Sequence, residues 1–280
     1  MPTIDENIQM WETNYDWSQA GDEWSEAWGS PRAQWEGCLL PRIFPFLSGR
    51  ILEIAPGCGR WTQFLKIHCA SLIGIDLSPS CVEQCKQRFR DYPNLEFKVN
   101  DGLLLPMVDN ASIDFAFSFD SLVHAESDAV SSYVNELARV LKPGGVAFIH
   151  HSNLGSVANR RLLWKFIKNG VARIRSSNFS GIMRSLRNTA KRQSYGIAIS
   201  NLQNPGRRAP SMSANRMRGF VERSGMSCLQ QELVPWGDTE QMLTDCMSTI
   251  INRSGKECVV IENHRFTEEA AAIKRISTYI

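Results

Sequence analysis

Residues 51–59 of this 280-residue chain read ILEIAPGCG, a short apolar run followed at once by a glycine-rich turn. The run predicts a buried strand, and the pattern that begins near Trp61 predicts a helix directly after the turn. Glycines let the backbone come close to a ligand, and the free N–H groups at the start of a helix favour an anion. The stretch therefore predicts a strand–turn–helix unit with a ligand site at the turn.

Strands and helices continue to alternate up to residue 152. The predicted strands lie at 71–76, 95–99, 112–118 and 146–150, and the predicted helices lie near 78–89 and 129–141. One helix between successive strands is typical of right-handed βαβ units. We therefore expect an α/β fold: a doubly wound, Rossmann-like, mostly parallel seven-stranded sheet with helices on both faces, formed by a core at 48–152.

The pattern changes after Asn153, where a strongly basic segment begins. No acidic residue lies between Asn153 and Pro210, whereas twelve lysines and arginines do. We expect a basic, partly helical insertion at 153–210, after the fifth strand. Because open α/β sheets bind ligands beyond the carboxyl ends of their strands, an insertion there would serve as a lid.

Two terminal parts flank the core and the insertion. Residues 1–47 form the predicted arm, a helical cap rich in tryptophan. Trp17, Trp24, Trp28 and Trp35 are spaced by seven, four and seven residues, as on one helical face. The sequence leaves open whether these rings pack across the sheet domain or line a substrate cleft. Residues 211–280 complete the sheet, with a helix near 213–224, a strand near 228–233, a helix near 240–251 and a last strand at 257–262.

Composition excludes several classes of protein. The 31 basic and 29 acidic residues nearly balance, and no apolar stretch approaches the roughly 18 residues of a membrane-spanning helix. The chain opens MPTIDENIQM, without the basic and apolar regions of a secretory leader. The eight cysteines contain no C-x-x-C pair, which is typical of buried thiols in a reducing compartment. We expect a cytoplasmic protein without a transmembrane segment, and nothing in the sequence indicates its oligomeric state.

Acidic residues lie beside the ends of the first three strands. Glu53 lies inside the first strand next to the glycine-rich turn, and Asp76 and Asp101 end the second and third strands. The third glycine of a dinucleotide motif is missing after Gly59. Three carboxylates around one crevice suit a ligand with a ribose, an ammonium and a sulfonium better than one with a pyrophosphate. S-adenosylmethionine has these groups.

Four motifs, in this order and spacing, resemble those of class I S-adenosylmethionine-dependent methyltransferases: LEIAPGCG, GIDLSPSCVEQC, NDGLLLPMVDNASIDFAFSFDSLVH and ELARVLKPGGVAFI. The resemblance covers roughly 48–152 and implies S-adenosylmethionine as cofactor and S-adenosylhomocysteine as product. Pro56 departs from the family pattern, and we interpret it as a stiffened turn. By resemblance, the cofactor-binding residues are Glu53, Ala55, Gly57 and Gly59 for the methionine part, Asp76 and Leu77 for the ribose, Asp101 and Gly102 for the adenine, and Ser118 and Phe119 beside the sulfonium.

The segment SFDSLVHAESD, after the fourth strand, resembles the Ser-Leu-x-His stretch of small-molecule and sugar O-methyltransferases, where the histidine is the general base. We carry that catalytic role to His124, with Asp120 and Glu126 beside it. His150 and His151 end the fifth strand, and because neighbouring strand residues point to opposite faces, one of them would face the pocket. We expect His151. These groups would also permit a divalent metal, but no spacing specifies a metal site.

The resemblance implies methyl transfer to a hydroxyl of a sugar, glycan or natural product. The basic insertion favours an anionic or lipid-linked acceptor. The alternative is an RNA-modifying methyltransferase that docks through 153–210, although the motifs for methylating exocyclic amines and cytosine C5 are absent. A non-catalytic S-adenosylmethionine-binding protein is a third hypothesis.

Overall fold

A computed structural model of the chain describes residues 3–157, 208–236 and 242–279. Within these residues the strands form one eight-stranded sheet with the spatial order β3-β2-β1-β4-β5-β7-β6-β8. In chain order the strands are β1 (Arg50–Ile54), β2 (Ser71–Asp76), β3 (Leu95–Val99), β4 (Ile113–Ser118), β5 (Leu141–Ser152), β6 (Ser227–Val234), β7 (Asp245–Ile251) and β8 (Val259–Glu262).

Most of the sheet is parallel. Strands β1 to β5 pair in parallel, β7 runs antiparallel to both β5 and β6, and β8 pairs in parallel with β6. The chain reverses its direction of travel across the sheet between β1 and β4, which is where doubly wound sheets open a ligand crevice. The predicted Rossmann-like fold is confirmed, with eight strands in place of seven. Strand β8 corresponds to the last predicted strand, at 257–262; it lies at an edge, and all four of its residues are exposed.

Helices cover both faces of the sheet. One apolar cluster includes residues of α6 and α7, and a second includes residues of α5, α8 and the arm. Helix α5 starts where Ser78 accepts the N–H of Cys81 and Pro79 occupies the first turn, both of which favour a helix start. The helices are α1 (Ile4–Ile8), α2 (Pro31–Gln34), α3 (Leu40–Ile43), α4 (Thr62–Leu65), α5 (Pro79–Arg88), α6 (Ser127–Val140), α7 (Ala214–Arg223) and α8 (Phe266–Ser277).

The predicted helix near 240–251 is wrong. Residues Asp245–Ile251 form strand β7, inserted between β5 and β6. Every residue of this strand except Ile251 is buried, including the polar residues Asp245, Ser248 and Thr249. Because both faces are buried, apolar and polar residues do not alternate along it, and the period of two that would predict a strand is missing. Helix α8 follows β8 and was not predicted.

The arm is not the single helix that the tryptophan spacing predicted. Its helical turns are interrupted at Ala20 (φ 54°) and Gly21 (φ 82°), and again at Gly29 (φ 96°). Residues in this left-handed region cannot continue a right-handed helix. The remaining turns are short and lie at Gln9–Asn14, Trp17–Gln19, Asp22–Trp28, Trp35–Leu39 and Phe44–Phe46. The predicted basic insertion falls largely on 158–207, outside the described residues.

Candidate active site

A cavity of about 410 Å³ lies at the carboxyl ends of β1, β2 and β4. It therefore occupies the reversal point of the sheet, where ligands of doubly wound folds bind. Its walls come from the arm, the glycine-rich turn, the residues after β2 and β3, the loop after β4 (residues 119–126, the β4 loop) and the first half of α6.

The glycine-rich turn forms a close-fitting cradle at one end of the cavity. Ala55 (φ 56°) and Gly57 (φ 57°) both have left-handed backbone. The Ala55 N–H donates to the Ile75 carbonyl at 2.7 Å, which ties the turn to β2. A Cβ at position 57 would lie 2.8 Å from the ring of Trp17. Any larger residue at position 57 would both strain the backbone and collide with this ring.

Asp76, at the end of β2, lines the cavity beside Leu77. Its Oδ2 accepts the Gly57 N–H and its Oδ1 accepts the Ser78 N–H, both at 2.9 Å. Burial raises the pKa of Asp76, and these backbone hydrogen bonds oppose the rise. Glu12 of the arm accepts hydrogen bonds from Ser78 and Ser80, so the arm is fastened next to this carboxylate.

The residues after β3 are divided between the cavity and the surface. Asn100, Gly102 and Leu103 line the cavity. Asp101 is exposed and is not part of the lining. Its Oδ1 accepts the N–H groups of Leu103 and Leu104 at 2.8 and 2.7 Å. In this structure the Asp101 side chain shapes the loop, and its neighbours meet the cavity.

Glu53 lies beneath the turn and is 1% exposed. The Thr62 hydroxyl donates to its Oε2 at 2.5 Å, whereas its Oε1 has no hydrogen-bond partner. Burial raises the pKa of Glu53 to about 8. A buried carboxyl oxygen without a partner is unusual in a folded protein. Glu53 does not belong to the cavity lining, so its predicted place among the residues that contact the cofactor is not observed.

The raised pKa of Glu53 predicts a pH-dependent stability. The pKa lies near 4.5 when the group is solvated and near 8 in the fold, so its stabilising contribution is full below about pH 4.5 and is lost as the pH rises toward 8. Each pKa unit is worth about 1.4 kcal/mol. We expect Glu53→Gln, which keeps an oxygen for Thr62, to raise the free energy of unfolding by roughly 2–5 kcal/mol at pH 8.

Urea unfolding at several pH values measures this difference. The difference should shrink as the pH falls toward 4.5 and vanish below about pH 4, where the wild-type carboxyl is mostly protonated in both states. Asp109→Asn, at an exposed position, is the control and should leave the pH dependence unchanged. A gain for Glu53→Gln that is equal at pH 4.5 and pH 8 would contradict the titration of this group as the cause.

His124 stands on the β4 loop and lines the cavity. Its ring centroid lies 5.1 Å from that of Trp11, and its backbone carbonyl accepts a hydrogen bond from the Asn7 side chain at 3.2 Å. The side chain is 9% exposed. The arm therefore covers this histidine and restricts its contact with bulk water.

The two predicted acidic partners of His124 also line the cavity. Asp120 has left-handed backbone (φ 65°) and pairs with Arg60 at 2.9 Å. Glu126 accepts a hydrogen bond from Ser211, and its other carboxyl oxygen, Oε1, is buried without a partner. Asp120 is therefore held in an ion pair, while Glu126 keeps an oxygen that faces no donor.

The histidine pair at the end of β5 is not brought to the cavity. Both rings are fully buried, and neither belongs to the lining. The His151 Nε2 lies 2.8 Å from the Ser248 hydroxyl, and burial lowers the pKa of His151 to about 4. His150 stacks on Phe119, with ring centroids 4.5 Å apart. The expected position of His151 at the mouth of the pocket is therefore not observed.

Three more predicted residues can be placed. Phe119 lines the cavity. Ser118 is fully buried, with a hydroxyl that has no partner, and it lies behind the lining. Gly59 (φ 86°) is also outside the lining, and a Cβ there would lie 2.5 Å from the Phe89 ring. Gly59 is thus required for packing of the turn against α5.

The sequence did not single out Arg60, Asn100 or Tyr133, all of which line the cavity. The signal for Arg60 was its position directly after the glycine-rich turn. For the tryptophans, both open hypotheses hold for different rings. Trp17 and Trp24 line the cavity together with Trp11, whereas Trp28 and Trp35 belong to the buried core.

The described residues contain no group of three or more histidine, cysteine or acidic side chains placed to hold a metal ion. A search of the same residues finds no helix with the length and apolar character needed to cross a bilayer.

Comparison with known proteins identifies the fold. A family model described as a methyltransferase domain matches residues 51–145. The chain is 37% identical over 102 residues to the phthiotriol/phenolphthiotriol dimycocerosates methyltransferase of Mycobacterium leprae, covering 35% of this chain and 36% of that protein. It is 32% identical over 123 residues to the biotin biosynthesis bifunctional protein BioHC of Cellvibrio japonicus, covering 44% of this chain and 23% of that protein.

A solved structure extends the likeness beyond the matched domain. A crystal structure of an S-adenosylmethionine-dependent methyltransferase from Mesorhizobium loti is similar with a TM-score of 0.53, at 15% identity, over 78% of this chain and 97% of that one. The chain spans only 23% to 36% of the length of the two curated relatives. The chain thus contains a methyltransferase domain with the class I fold of the S-adenosylmethionine-dependent methyltransferases.

Proposed function

We propose that this chain is an S-adenosylmethionine-dependent methyltransferase that transfers a methyl group to a hydroxyl of a sugar, glycan or natural product. The observation that carries the proposal is one cavity that joins the glycine cradle at Gly57, the carboxylate of Asp76 and the β4 loop with His124. Cofactor-binding features and a candidate base therefore share one enclosed space at the reversal point of the sheet.

The chemistry of the lining fits this cofactor. The described lining carries four carboxylates, of Asp76, Asp120, Glu126 and Asp128, and the guanidinium of Arg60. An excess of acidic groups favours a ligand with a sulfonium and an ammonium. Asp76 is placed to accept hydrogen bonds from ribose hydroxyls, and the left-handed turn at Gly57 allows close approach of the methionine end.

S-adenosylmethionine, when bound, supplies an electrophilic methyl group on its sulfonium. We assign to His124 the role of general base, which accepts the proton of the acceptor hydroxyl as the nucleophile attacks. Trp11 covers the ring of His124 and helps to exclude water, which strengthens electrostatic interactions in the site. The β4 loop is held by the ion pair of Asp120 with Arg60.

Aromatic rings support a cyclic acceptor. Trp11, Trp24 and Phe119 line the same cavity as His124, and flat apolar rings of this kind suit sugar faces and planar natural products. The names of the two relatives point to phthiotriol and phenolphthiotriol dimycocerosates and to biotin biosynthesis, so the matched domain does not select one acceptor. An anionic or lipid-linked acceptor would draw on the predicted basic insertion at 153–210.

The eight cysteines support a cytoplasmic location. All of them are free in the structure, and unpaired buried thiols are typical of a reducing compartment.

Binding of S-adenosylhomocysteine tests the cofactor half of the proposal. We expect wild-type protein to bind this product in calorimetry and Asp76→Asn to bind it roughly 10- to 100-fold more weakly, because a hydrogen bond to a charged group is worth about 1.5–3 kcal/mol. Asp109→Asn, an exposed substitution, is the control. A folded wild-type protein that does not bind S-adenosylhomocysteine would refute the proposal.

Labelled methyl transfer tests the acceptor half. Cell extract is separated into glycans, lipids, RNA and small molecules, and each fraction is incubated with the protein and methyl-labelled S-adenosylmethionine. We expect the label in a glycan or small-molecule fraction. Label confined to RNA would favour the RNA-modifying alternative, and label in no fraction, with cofactor binding intact, would favour a non-catalytic binding protein.

A further inference from the structure

Among the residues that the structure describes, Arg60 is the one lysine or arginine that lines the cavity. It follows the glycine-rich turn and is 3% exposed. Its guanidinium carbon lies 5.0 Å from the ring centroid of Trp24 and 4.4 Å from that of Trp61. Two indole rings therefore fix the plane of the guanidinium and leave its edge to make hydrogen bonds.

The hydrogen bonds of this guanidinium occupy only some of its N–H donors. Arginine carries five N–H groups. The hydrogen bonds to Ser25 (3.5 Å) and Asp120 (2.9 Å) occupy one N–H group on each terminal nitrogen. The other donors suit a planar carboxylate, which guanidinium groups bind in a two-pronged geometry. The proposed cofactor has a carboxylate at its methionine end, and the rest of the charged lining is acidic.

A buried chain of side chains holds the partner of Arg60. Asp120 Oδ1 lies 3.8 Å from Arg208, and Arg208 pairs with Asp245 at 2.9 Å. The Asp245 Oδ2 lies 3.1 Å from His150 Nε2, and His150 Nδ1 accepts the backbone N–H of Asp120 at 3.1 Å. The contacts close a ring that starts and ends at Asp120, with every side chain less than 10% exposed.

The hydrogen bonds of a neutral His150 define which nitrogen of its imidazole carries the proton. Because Nδ1 accepts a hydrogen bond, the proton resides on Nε2, which donates to Asp245. The positive charges of Arg60 and Arg208 then balance the negative charges of Asp120 and Asp245. Asp120 is shared between two guanidinium groups, so its charge is divided and Arg60 retains attraction for a second carboxylate.

We propose that Arg60 binds the carboxylate at the methionine end of the cofactor, and that His150, Asp245 and Arg208 are positioning residues that hold Asp120 and thereby Arg60. The inference rests on the proposed function, because it requires S-adenosylmethionine or its product in this cavity. It assigns to the buried histidine at 150 a role in cofactor affinity through the Asp120 backbone.

Calorimetry with two ligands tests the assignment. S-adenosylhomocysteine has the methionine-derived carboxylate, whereas 5′-methylthioadenosine has the same adenosine and thioether without it. We expect Arg60→Met to weaken S-adenosylhomocysteine binding by about 10- to 100-fold and to change methylthioadenosine binding less than about threefold. Arg60→Lys, which keeps the charge and loses the fork, should lie between wild type and Arg60→Met.

The positioning residues predict a smaller effect with the same selectivity. His150→Phe retains a ring against Phe119 and removes both hydrogen bonds, so we expect S-adenosylhomocysteine affinity to fall about 3- to 10-fold with methylthioadenosine unchanged. A purely structural role would lower thermal stability and leave the ratio of the two affinities at its wild-type value. Arg88→Met is the matched control, because Arg88 donates to the Cys58 carbonyl in the same turn but does not line the cavity.

The outcomes separate the inference from the proposed function. If wild-type protein binds neither ligand, the proposed function fails. If it binds both, and Arg60→Met and Arg60→Lys weaken both equally or neither, the carboxylate assignment is overturned and the proposed function stands. Selective loss of S-adenosylhomocysteine affinity supports both.

Discussion

We expect replacement of His124 by asparagine to lower methyl transfer by about 10²–10⁴-fold, the range for removal of a general base. The alcohol of an acceptor is a poor nucleophile at neutral pH, and the β4 loop places His124 in the same cavity as the proposed cofactor-binding residues Gly57 and Asp76. Because His124 is assigned to the acceptor and not to the cofactor, the affinity for S-adenosylhomocysteine should stay within about threefold of wild type.

The labelled-transfer assay measures this loss in the fraction that accepts the methyl group. His264→Asn is the matched control, since His264 is exposed and pairs with Glu262 at the far edge of the sheet. Retained turnover in His124→Asn would move the role of base elsewhere. Glu126 is then the next candidate, because it lines the cavity and its Oε1 is buried without a partner.

The second large effect concerns stability. We expect Asp245→Asn to lower the free energy of unfolding by about 3–5 kcal/mol, the cost of leaving a buried charge without its partner. Asp245 is fully buried, and it accepts hydrogen bonds from Arg208 through both of its carboxyl oxygens. Burial by itself raises the pKa of Asp245, and Arg208 and His150 outweigh it and lower the pKa.

Urea unfolding at pH 7 measures the loss, with Glu36→Gln as the control. Glu36 pairs with Arg32 on the surface, where the two side chains are 50% and 75% exposed, and such pairs contribute about 0–1 kcal/mol. If the two substitutions had equal effects, Asp245 would not be the centre of a buried ion-pair network.

The order of strands and helices from β1 to β5 could be predicted because local pattern and tertiary environment agree there. β2 and β3 have the predicted bounds, and β1 and β4 differ from them by one residue. The segment of β7 was predicted as a helix because a strand buried on both faces shows no alternation of apolar and polar residues. The breaks in the arm depend on the left-handed backbone of Ala20 and Gly21. An alanine in a sequence does not predict this conformation.

Some residues of the candidate site could likewise be predicted from the sequence, and others could not. Residues at or shortly after a strand end, such as Asp76, Gly57 and Phe119, could be predicted to meet at one edge, because parallel strands end on the same side of a sheet. The sequence does not show which of Asn100, Asp101 and Gly102 meets the cavity, since a short loop can turn any of these residues toward it. Arg60 required the structure, because its partners Trp24 and Asp120 are distant in sequence.

Periodicity and the residues at strand ends are enough to predict the class of fold, the reversal point of the sheet and the chemical character of its crevice. They do not predict which histidine meets the cavity, because that depends on how neighbouring strands and the arm pack around each ring. His150 and His151 end a strand that lies between β4 and β7 and is buried on both faces, so both rings are enclosed. His124 lies on the β4 loop, outside the strands, and there the arm folds over it.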